Sequence, residues 1–113
     1  MKAPTSVKDW DKFLDMVDEH VRSGGRALHV VWDPVKGYKQ HLRKQGVRYR
    51  VFKVEDAGRK VEVVVSIVKQ GYRPMDGLVG LASWYFLLEP GDPDDPGVLW
   101  EKVQRKEFKE IHV

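Results

Sequence analysis

Apolar residues follow two different periods in the first third of the chain. From residue 7 they recur at helical spacing, at Val7, Trp10, Leu14, Val17 and Val21. Ser6 followed by Asp9 resembles a capping box with Asp in place of Glu, so the pattern predicts an amphipathic helix over residues 7–23. Gly24-Gly25 ends it, because glycine adopts the left-handed C-terminal conformation without steric cost. The apolar run Arg26–Trp32 then predicts a strand that is buried on at least one face.

A second helix and a hairpin are predicted in the middle of the chain. Asp33-Pro34 is typical of a helix start, which indicates a short helix over residues 34–44. Residues 47–54 alternate between two faces, Val47, Tyr49 and Val51 on one and Arg48, Arg50 and Phe52 on the other. Residues 61–68 are rich in β-branched side chains, and the turn residues between the two segments predict a β-hairpin.

The last third of the chain is predicted less completely. A third strand is expected at residues 81–88, after a loop with several glycines and a proline. In residues 98–113 the apolar positions fit a helix imperfectly, and a polar strand is the alternative. We therefore predict an α+β fold in a single domain of residues 1–113. It consists of a small antiparallel sheet of about four strands backed by the N-terminal amphipathic helix, with a C-terminal helix as one alternative for the tail.

Composition indicates a charge-dense globular protein. Hydrophobic residues make up 42% of the chain and charged residues 33%, and the formal net charge is +3. Zero cysteines exclude disulfides, thiolate metal sites and cysteine nucleophiles. High Lys, Arg and Glu content without cysteine suits a protein adapted to heat. The first residues show no apolar signal-peptide segment, and no run is apolar enough for a membrane span, so we expect a cytoplasmic protein without membrane contacts.

A basic segment with interleaved aromatic residues is the strongest functional signal. Residues 34–54 hold seven Lys or Arg and no Asp or Glu. The cations are candidates for phosphate contacts: Lys36, Lys39, Arg43, Lys44, Arg48, Arg50 and Lys53. The alternative is a solvated sheet face whose arginines pair with carboxylates such as Glu62 on the neighbouring strand. Cations beside flat π-surfaces are the two components of single-strand nucleic-acid binding.

Aromatic residues divide into core candidates and stacking candidates. The chain has four each of Trp, Tyr and Phe, and we assign Trp10, Phe13, Trp84 and Phe86 to the core. The stacking candidates lie in or beside the basic segment and in the loop 70–77: Trp32, Tyr38, Tyr49, Phe52 and Tyr72. Tyr72 and Arg73 stand between glycines, an arrangement that either closes over a ligand or is an ordinary connecting loop.

Catalytic and metal signatures give no positive signal. The four histidines lack metal-ligand spacing, and Asp92, Asp94 and Asp95 are interrupted by prolines, so an acidic turn is the default interpretation. A metal-independent ribonuclease using His29 or His41 with Glu55 or Glu62 stays open as an alternative. We expect no cofactor, no metal and no catalytic residues.

The overall character of the chain resembles the ThermoDBP-related single-stranded-DNA-binding proteins of hyperthermophilic archaea. The resemblance rests on the basic-aromatic segment Tyr38–Lys53 and on Trp84-Tyr85-Phe86 in a short, cysteine-free, tryptophan-rich chain. It implies a helix-plus-antiparallel-sheet fold, assembly into homo-oligomers, and sequence-tolerant binding of single strands in clefts between or beside subunits. No binding residues of that family are transferred to this chain.

The leading hypothesis is a non-enzymatic, single-stranded DNA-binding protein that also accepts RNA and forms a homo-oligomer, either a dimer or a tetramer. The first alternative is a structural RNA-binding or ribosome-associated protein that uses the same basic surface. A small nuclease and a protein-interaction adaptor are further alternatives.

Overall fold

The computed structural model describes residues 1–6, 8–75 and 80–113. Its elements in chain order are strand β1 (Lys2–Ala3), helix α1 (Trp10–Arg22), strand β2 (Arg26–Pro34), helix α2 (Tyr38–Lys44), strands β3 (Arg48–Asp56), β4 (Arg59–Val68) and β5 (Gly80–Leu88), helix α3 (Pro96–Gln104) and strand β6 (Lys109–Glu110). The strands form one sheet in the order β3-β4-β2-β5-β1-β6. Its pairs are antiparallel except for β1 with β6, which is parallel.

The predicted α+β class and N-terminal helix are confirmed, but the prediction of about four antiparallel strands is wrong. The described residues form a mixed sheet of six strands. The two additional strands, β1 and β6, are each two residues long. Two residues are too few to show a period of two, so neither strand has a signal in the sequence.

Helix α1 begins later than predicted. Asp9 is its N-cap and accepts a hydrogen bond from the backbone N–H of Lys12, at 3.0 Å. The expected capping role of Ser6 is therefore wrong, because Asp9 itself satisfies the free N–H of the first turn. Val7, the predicted start of the helix, lies outside the described residues. At the other end, Ser23 is the C-cap and Gly24 follows at a φ of +92°.

The predicted β-hairpin is confirmed. Strands β3 and β4 pair from Arg48 opposite Ile67 to Asp56 opposite Arg59. Ala57 and Gly58 connect them with φ angles of +51° and +81°. Two successive positive φ angles characterise the two-residue turn whose twist matches that of the strands. This pairing also confirms the predicted faces, with Arg48, Arg50 and Phe52 on one side and Tyr49 and Val51 on the other.

Two helices differ from their predicted bounds. Helix α2 starts at Tyr38 rather than residue 34, because strand β2 continues through Pro34 and Gly37, at a φ of +90°, occupies the N-cap position. In the tail, Asp95 caps helix α3 and Pro96 stands in its first turn. The short strand β6 follows that helix, so both alternatives for the tail occur, one after the other.

Both faces of the sheet are covered by helices. Helix α3 packs on the face that carries Leu28, Val63, Val65 and Phe86, and Leu99 of the helix is fully buried there. On the opposite face α1 buries Phe13 and Val17, and α2 buries Tyr38 and Leu42. As predicted, Phe13 and Phe86 belong to the core, whereas Trp10 and Trp84 are half-buried with ring centroids 5.2 Å apart. None of the helices in the described residues is long and apolar enough to cross a membrane.

A row of polar residues crosses the sheet beneath α1 and α2. His29 of β2 lies opposite Ser66 of β4 and Tyr85 of β5, and Ser66 lies opposite Tyr49 of β3. The rings of His29 and Tyr85 are stacked at 4.0 Å, and His29 Nδ1 lies 3.4 Å from the Tyr38 hydroxyl. Burial lowers the pKa of His29 to about 3 and raises the pKa of Tyr85 to about 12. His29 is therefore neutral in the folded protein at physiological pH.

Burial of neutral His29 predicts a loss of stability in mild acid. The unfolded chain takes up a proton on this residue below about pH 6.5, whereas the folded chain does so only near pH 3. The free energy of unfolding should therefore fall by about 2 kcal/mol between pH 7 and pH 5 through this one group. The titratable groups in contact with it are Tyr38 and Tyr85, which stay neutral over that range because burial raises the pKa of both hydroxyls.

Urea unfolding at several pH values measures this dependence. A His29→Phe variant should lose that part of the pH dependence, and His112→Gln, which changes an exposed histidine, should retain it. An unchanged pH dependence in folded His29→Phe would contradict the assignment.

Candidate nucleic-acid interface

The basic segment lies along one edge of the sheet. Strand β3 is the terminal strand of the sheet, and α2 precedes it directly in the chain. Because successive side chains of a strand point to opposite faces, the pleat of β3 divides the predicted cations into two groups. Arg48 and Arg50 lie on the face covered by α3. Of the remaining cations, Lys36 precedes α2, Lys53 lies on the α2 side of β3, and the others lie on α2.

The α3 side of the edge contains a groove with cations and aromatic rings. It has a volume of about 450 Å³ and is lined by Arg50, Phe52, Lys53, Val54, Asp95, Gly97, Val98, Trp100, Glu101 and Gln104. The Arg50 guanidinium lies 5.3 Å from the centre of the Phe52 ring. The rings of Phe52 and Trp100 have centroids 5.9 Å apart with an interplanar angle of 31°. The groove thus presents two half-buried rings beside the Arg50 guanidinium, and its lining also includes Lys53, Asp95 and Glu101.

A cluster of cations around Asp94 continues this surface. The Asp94 carboxylate lies 3.3 Å from Lys69 Nζ, 3.5 Å from Arg26 Nη1 and 3.9 Å from Arg48 Nη1. Burial alone would raise the pKa of Asp94, but the hydrogen bond from Lys69 and the three positive charges hold it below its usual value. Arg48 also donates to the Asp94 carbonyl oxygen at 2.7 Å. Three cations around one carboxylate leave an excess of positive charge.

The two parts of the surface are adjacent. Arg48 and Lys69 line a second concavity of about 400 Å³, which also contains Tyr72 and Asp94. Arg48 and Arg50 are two residues apart on one face of β3, a separation of about 7 Å. A path of cations therefore runs on this face from Lys69 through Arg48 to Arg50, with Phe52 and Trp100 beside it, and Lys53 of the other face lines the rim of the groove.

The α2 side of the edge has one paired cation and one that bonds a tyrosine. Lys39 forms a salt bridge with Glu62 at 2.8 Å, and Arg43 donates to the Tyr49 hydroxyl at 2.9 Å. Lys36, Lys44 and Lys53 are exposed. Glu62 lies opposite Lys53, on the face away from Arg48 and Arg50. Glu62, the carboxylate named in the alternative interpretation, therefore does not pair with the arginines, since the pleat puts them on different faces, and Asp94 takes that place for Arg48.

The stacking candidates are spread over different environments. Tyr38 is wrong as a stacking residue, because it is fully buried between α2 and the sheet and offers no ring face to a base. Tyr72 and Tyr49 are half-buried against the same cluster. Trp32 is half-buried and donates from Nε1 to Asp56 at 3.0 Å. Phe52 alone among the candidates lies in the groove with Arg50. Of the predicted loop 70–77, Asp76 and Gly77 lie outside the described residues.

Sequence reasoning missed two residues that complete this surface. Trp100 lies on α3, and Lys69 follows the end of β4, so both are remote in the chain from residues 34–54. Trp100 stands in the middle of a helix that the tail pattern left ambiguous. Its position beside Phe52 depends on how α3 packs across β3 and β4.

Comparisons with known proteins give no relative for this chain. No family model matches the sequence, and no curated protein and no solved structure matches it. The geometry of the described residues is therefore the basis for the functional argument.

A substitution at Gly97 tests how closely the Arg50 side chain packs against helix α3. A Cβ at this position would lie 2.6 Å from Nη1 of Arg50 and 3.2 Å from Oδ1 of Asp95. In Gly97→Ala the flexible guanidinium should move away, so stability should change by no more than about 1 kcal/mol, the usual range for Gly to Ala in a helix. The Arg50 Nε–Hε resonance, shifted by the Phe52 ring, should move towards its random-coil position.

Gly91→Ala is the matched control, because a Cβ there meets no atom within 4 Å. An Arg50 resonance that responds equally to both substitutions, or to neither, would contradict the placement of the guanidinium against Gly97 and Phe52.

Proposed function

We propose that this protein is a non-enzymatic, sequence-tolerant single-stranded nucleic-acid-binding protein whose binding surface is the groove between β3 and α3. DNA is the proposed ligand, and RNA is accepted as well. The observation that carries the proposal is the cluster of Arg50, Phe52 and Trp100 in one open groove, with Lys53 at its rim. Stacking on aromatic rings and contact with phosphates both tolerate any base sequence.

The distribution of charge supports a path for a phosphate backbone. Two acidic residues line the groove: Asp95 Oδ1 accepts hydrogen bonds from the N–H groups of Gly97 and Val98 at the start of α3, and Glu101 is exposed. Asp94 neutralises only part of the charge on Lys69, Arg26 and Arg48. A strand that follows this face of the sheet meets Lys69, Arg48 and Arg50 in turn, and Lys53 of the other face lines the rim of the groove. The cations of α2 form a second, peripheral contribution to the field.

Shape supports single strands over duplex. The aromatic rings lie inside a groove between a helix and a strand, so a base must leave its stack to reach them. In line with this function, the protein is proposed to act in the cytoplasm as a homo-oligomer. The resemblance to the ThermoDBP-related proteins is part of the proposal. It rests on the sequence features alone, since no family model matches the chain.

Binding of a labelled single strand of about 20 nucleotides, longer than one binding fold usually covers, tests the function. With four cations on phosphates, log affinity should fall with log salt at a slope of roughly −3. Duplex DNA should not compete for the site. Competition by structured RNA instead would favour the structural RNA-binding alternative. Absence of salt-sensitive binding at low ionic strength would contradict the proposal.

Single substitutions locate the surface. Arg50→Gln should reduce the salt slope by about 0.7, whereas Lys109→Gln, the same charge change on the opposite edge of the sheet, should leave it unchanged. Trp100→Leu should weaken binding about 5- to 100-fold, the value of one stacked base. Trp10→Leu is the matched control, since Trp10 is half-buried next to Trp84, outside the groove. Equal losses for the two tryptophan variants, with both folded, would exclude the groove.

Asp94 should weaken binding in the native protein. Its carboxylate holds Lys69 and Arg48 in ion pairs that a phosphate must replace. In Asp94→Asn the cations are released, so affinity for single strands should increase about two- to fivefold, in the range of an exposed ion pair. Glu107→Gln removes the same charge at the pair with Arg105, which lies outside the groove, and should have little effect. Weaker binding by Asp94→Asn would show that Asp94 positions Arg48 for the ligand.

A further inference from the structure

Strand β3 presents an open edge. It is nine residues long and stands first in the sheet order, so only β4 pairs with it among the described residues. Every second residue of such a strand has a backbone N–H and C=O directed away from the sheet. An edge of this length is a template for pairing with another strand, and proteins usually pair, cover or charge it.

The charges along this edge have opposite signs at its two ends. Arg48 and Arg50 stand in its first half, and Glu55 and Asp56 are its last two residues. Arg48 and Asp56 share one face of the strand, because they are eight residues apart. Their exposed side chains also have hydrogen-bonding capacity left. Arg48 contacts Asp94, and Asp56 accepts one bond from Trp32. Charges of one sign along the edge would only repel a second copy. With opposite signs at its two ends, the strand is complementary to an antiparallel copy of itself.

The register of a symmetric pair follows from this pattern. A twofold axis perpendicular to the sheet keeps each face of the sheet continuous across the interface, so directly opposed residues must belong to the same face. Because side chains alternate between faces, one residue of β3 must then lie opposite its own copy, and the axis passes between these two residues. An axis at Lys53 would oppose two ammonium groups, and one at Val51 would leave Asp56 without a cation opposite. With the axis at Phe52, all nine residues of β3 pair with the same nine of the second copy. Arg48 then lies opposite Asp56 on both sides of the axis.

We propose that β3 pairs antiparallel with β3 of a second copy of this chain, with the twofold axis at Phe52, to form one continuous sheet of twelve strands. This inference rests on the edge and its charges, and it goes beyond the proposed binding of nucleic acid. Arg50 lies opposite Val54 of the other copy and diagonal to its Phe52. The groove of each copy, which contains Arg50, Phe52 and Val54, then adjoins the groove of the other across the axis. Both copies contribute residues to one binding surface.

Cysteine cross-linking without nucleic acid tests the register. The native chain has no cysteine, so each introduced thiol reports on its own position. Residue 52 is the position that lies opposite itself, at a Cβ separation of about 5 Å. Phe52→Cys should therefore form a disulfide-linked dimer, of twice 13.1 kDa, under mild oxidation. Lys53→Cys is the control, because it lies opposite Val51. Equal cross-linking of both variants, or none of Phe52→Cys in a folded protein, would overturn the register.

Charge reversal at the exposed residues Arg48 and Asp56 tests the same interface and retains the half-buried Phe52 ring. Sedimentation of Arg48→Asp and of Asp56→Arg should each show dimer dissociation constants raised about tenfold, because two opposed pairs become like charges. The double variant should restore the native value, since its pairs have opposite charges again. The dissociation constant of a weak dimer is on the order of 100 µM. A native chain that still sediments as a 13.1 kDa monomer at that concentration would overturn the proposal.

The dimer test and the binding test are independent. A monomer that still binds single strands with the predicted salt slope would contradict the dimer alone. A dimer that binds no nucleic acid would retain this inference and contradict the proposed function.

Discussion

The register between β3 and β4 is the constraint on which the candidate surface depends. The turn at Ala57 and Gly58 closes the hairpin, so that Arg48 lies opposite Ile67 and Asp56 opposite Arg59. A slip of one residue would move every side chain of β3 to the other face. Arg48, Arg50 and Phe52 would then lie under α2, and Tyr49 and Val51 would face α3. The hairpin turn thus decides which cations meet the tryptophan of α3.

Burial on the opposite face keeps the sheet in that register. Val51 lies opposite Val64 and packs with Val31, Tyr38 and Leu42 beneath α2. These apolar contacts would be lost with any shift of β3, and so would those of Phe52 and Val54 with the core cluster beneath α3. The edge strand therefore carries two different roles on its two faces. The α2 face contributes apolar contacts to the fold, whereas the α3 face combines such contacts, from Phe52 and Val54, with the exposed Arg48 and Arg50.

Acidic residues shape the surface as much as the basic segment does. Glu62 forms a salt bridge with Lys39 on the α2 side. On the α3 side, Asp94 forms salt bridges with Lys69, Arg26 and Arg48. Both carboxylates lie outside residues 34–54, which contain no acid. The folded surface is therefore less basic than the segment alone indicates. The proposed groove is the part in which cations and rings coincide while the neighbouring Asp95 carboxylate is occupied as a helix cap.

The sequence by itself determined the local elements. Helical spacing identified α1, alternation and turn residues identified the β3–β4 hairpin, and period-two geometry placed Arg48, Arg50 and Phe52 on one face. These features depend on neighbours within a few residues, so they can be read along the chain. The two-residue strands β1 and β6 carry too little pattern to be recognised.

Only the tertiary structure decided which side chains share a surface. Tyr38 and Tyr49 look equivalent in the basic segment, yet α2 buries Tyr38 completely and leaves Tyr49 half-buried. Trp100 joins Phe52, and Asp94 meets Arg48, across separations of more than forty residues. Such contacts arise from the packing of helices on a sheet, and a single sequence has no periodic signal for them. The sequence therefore determined the strand and its faces, and packing decided the site.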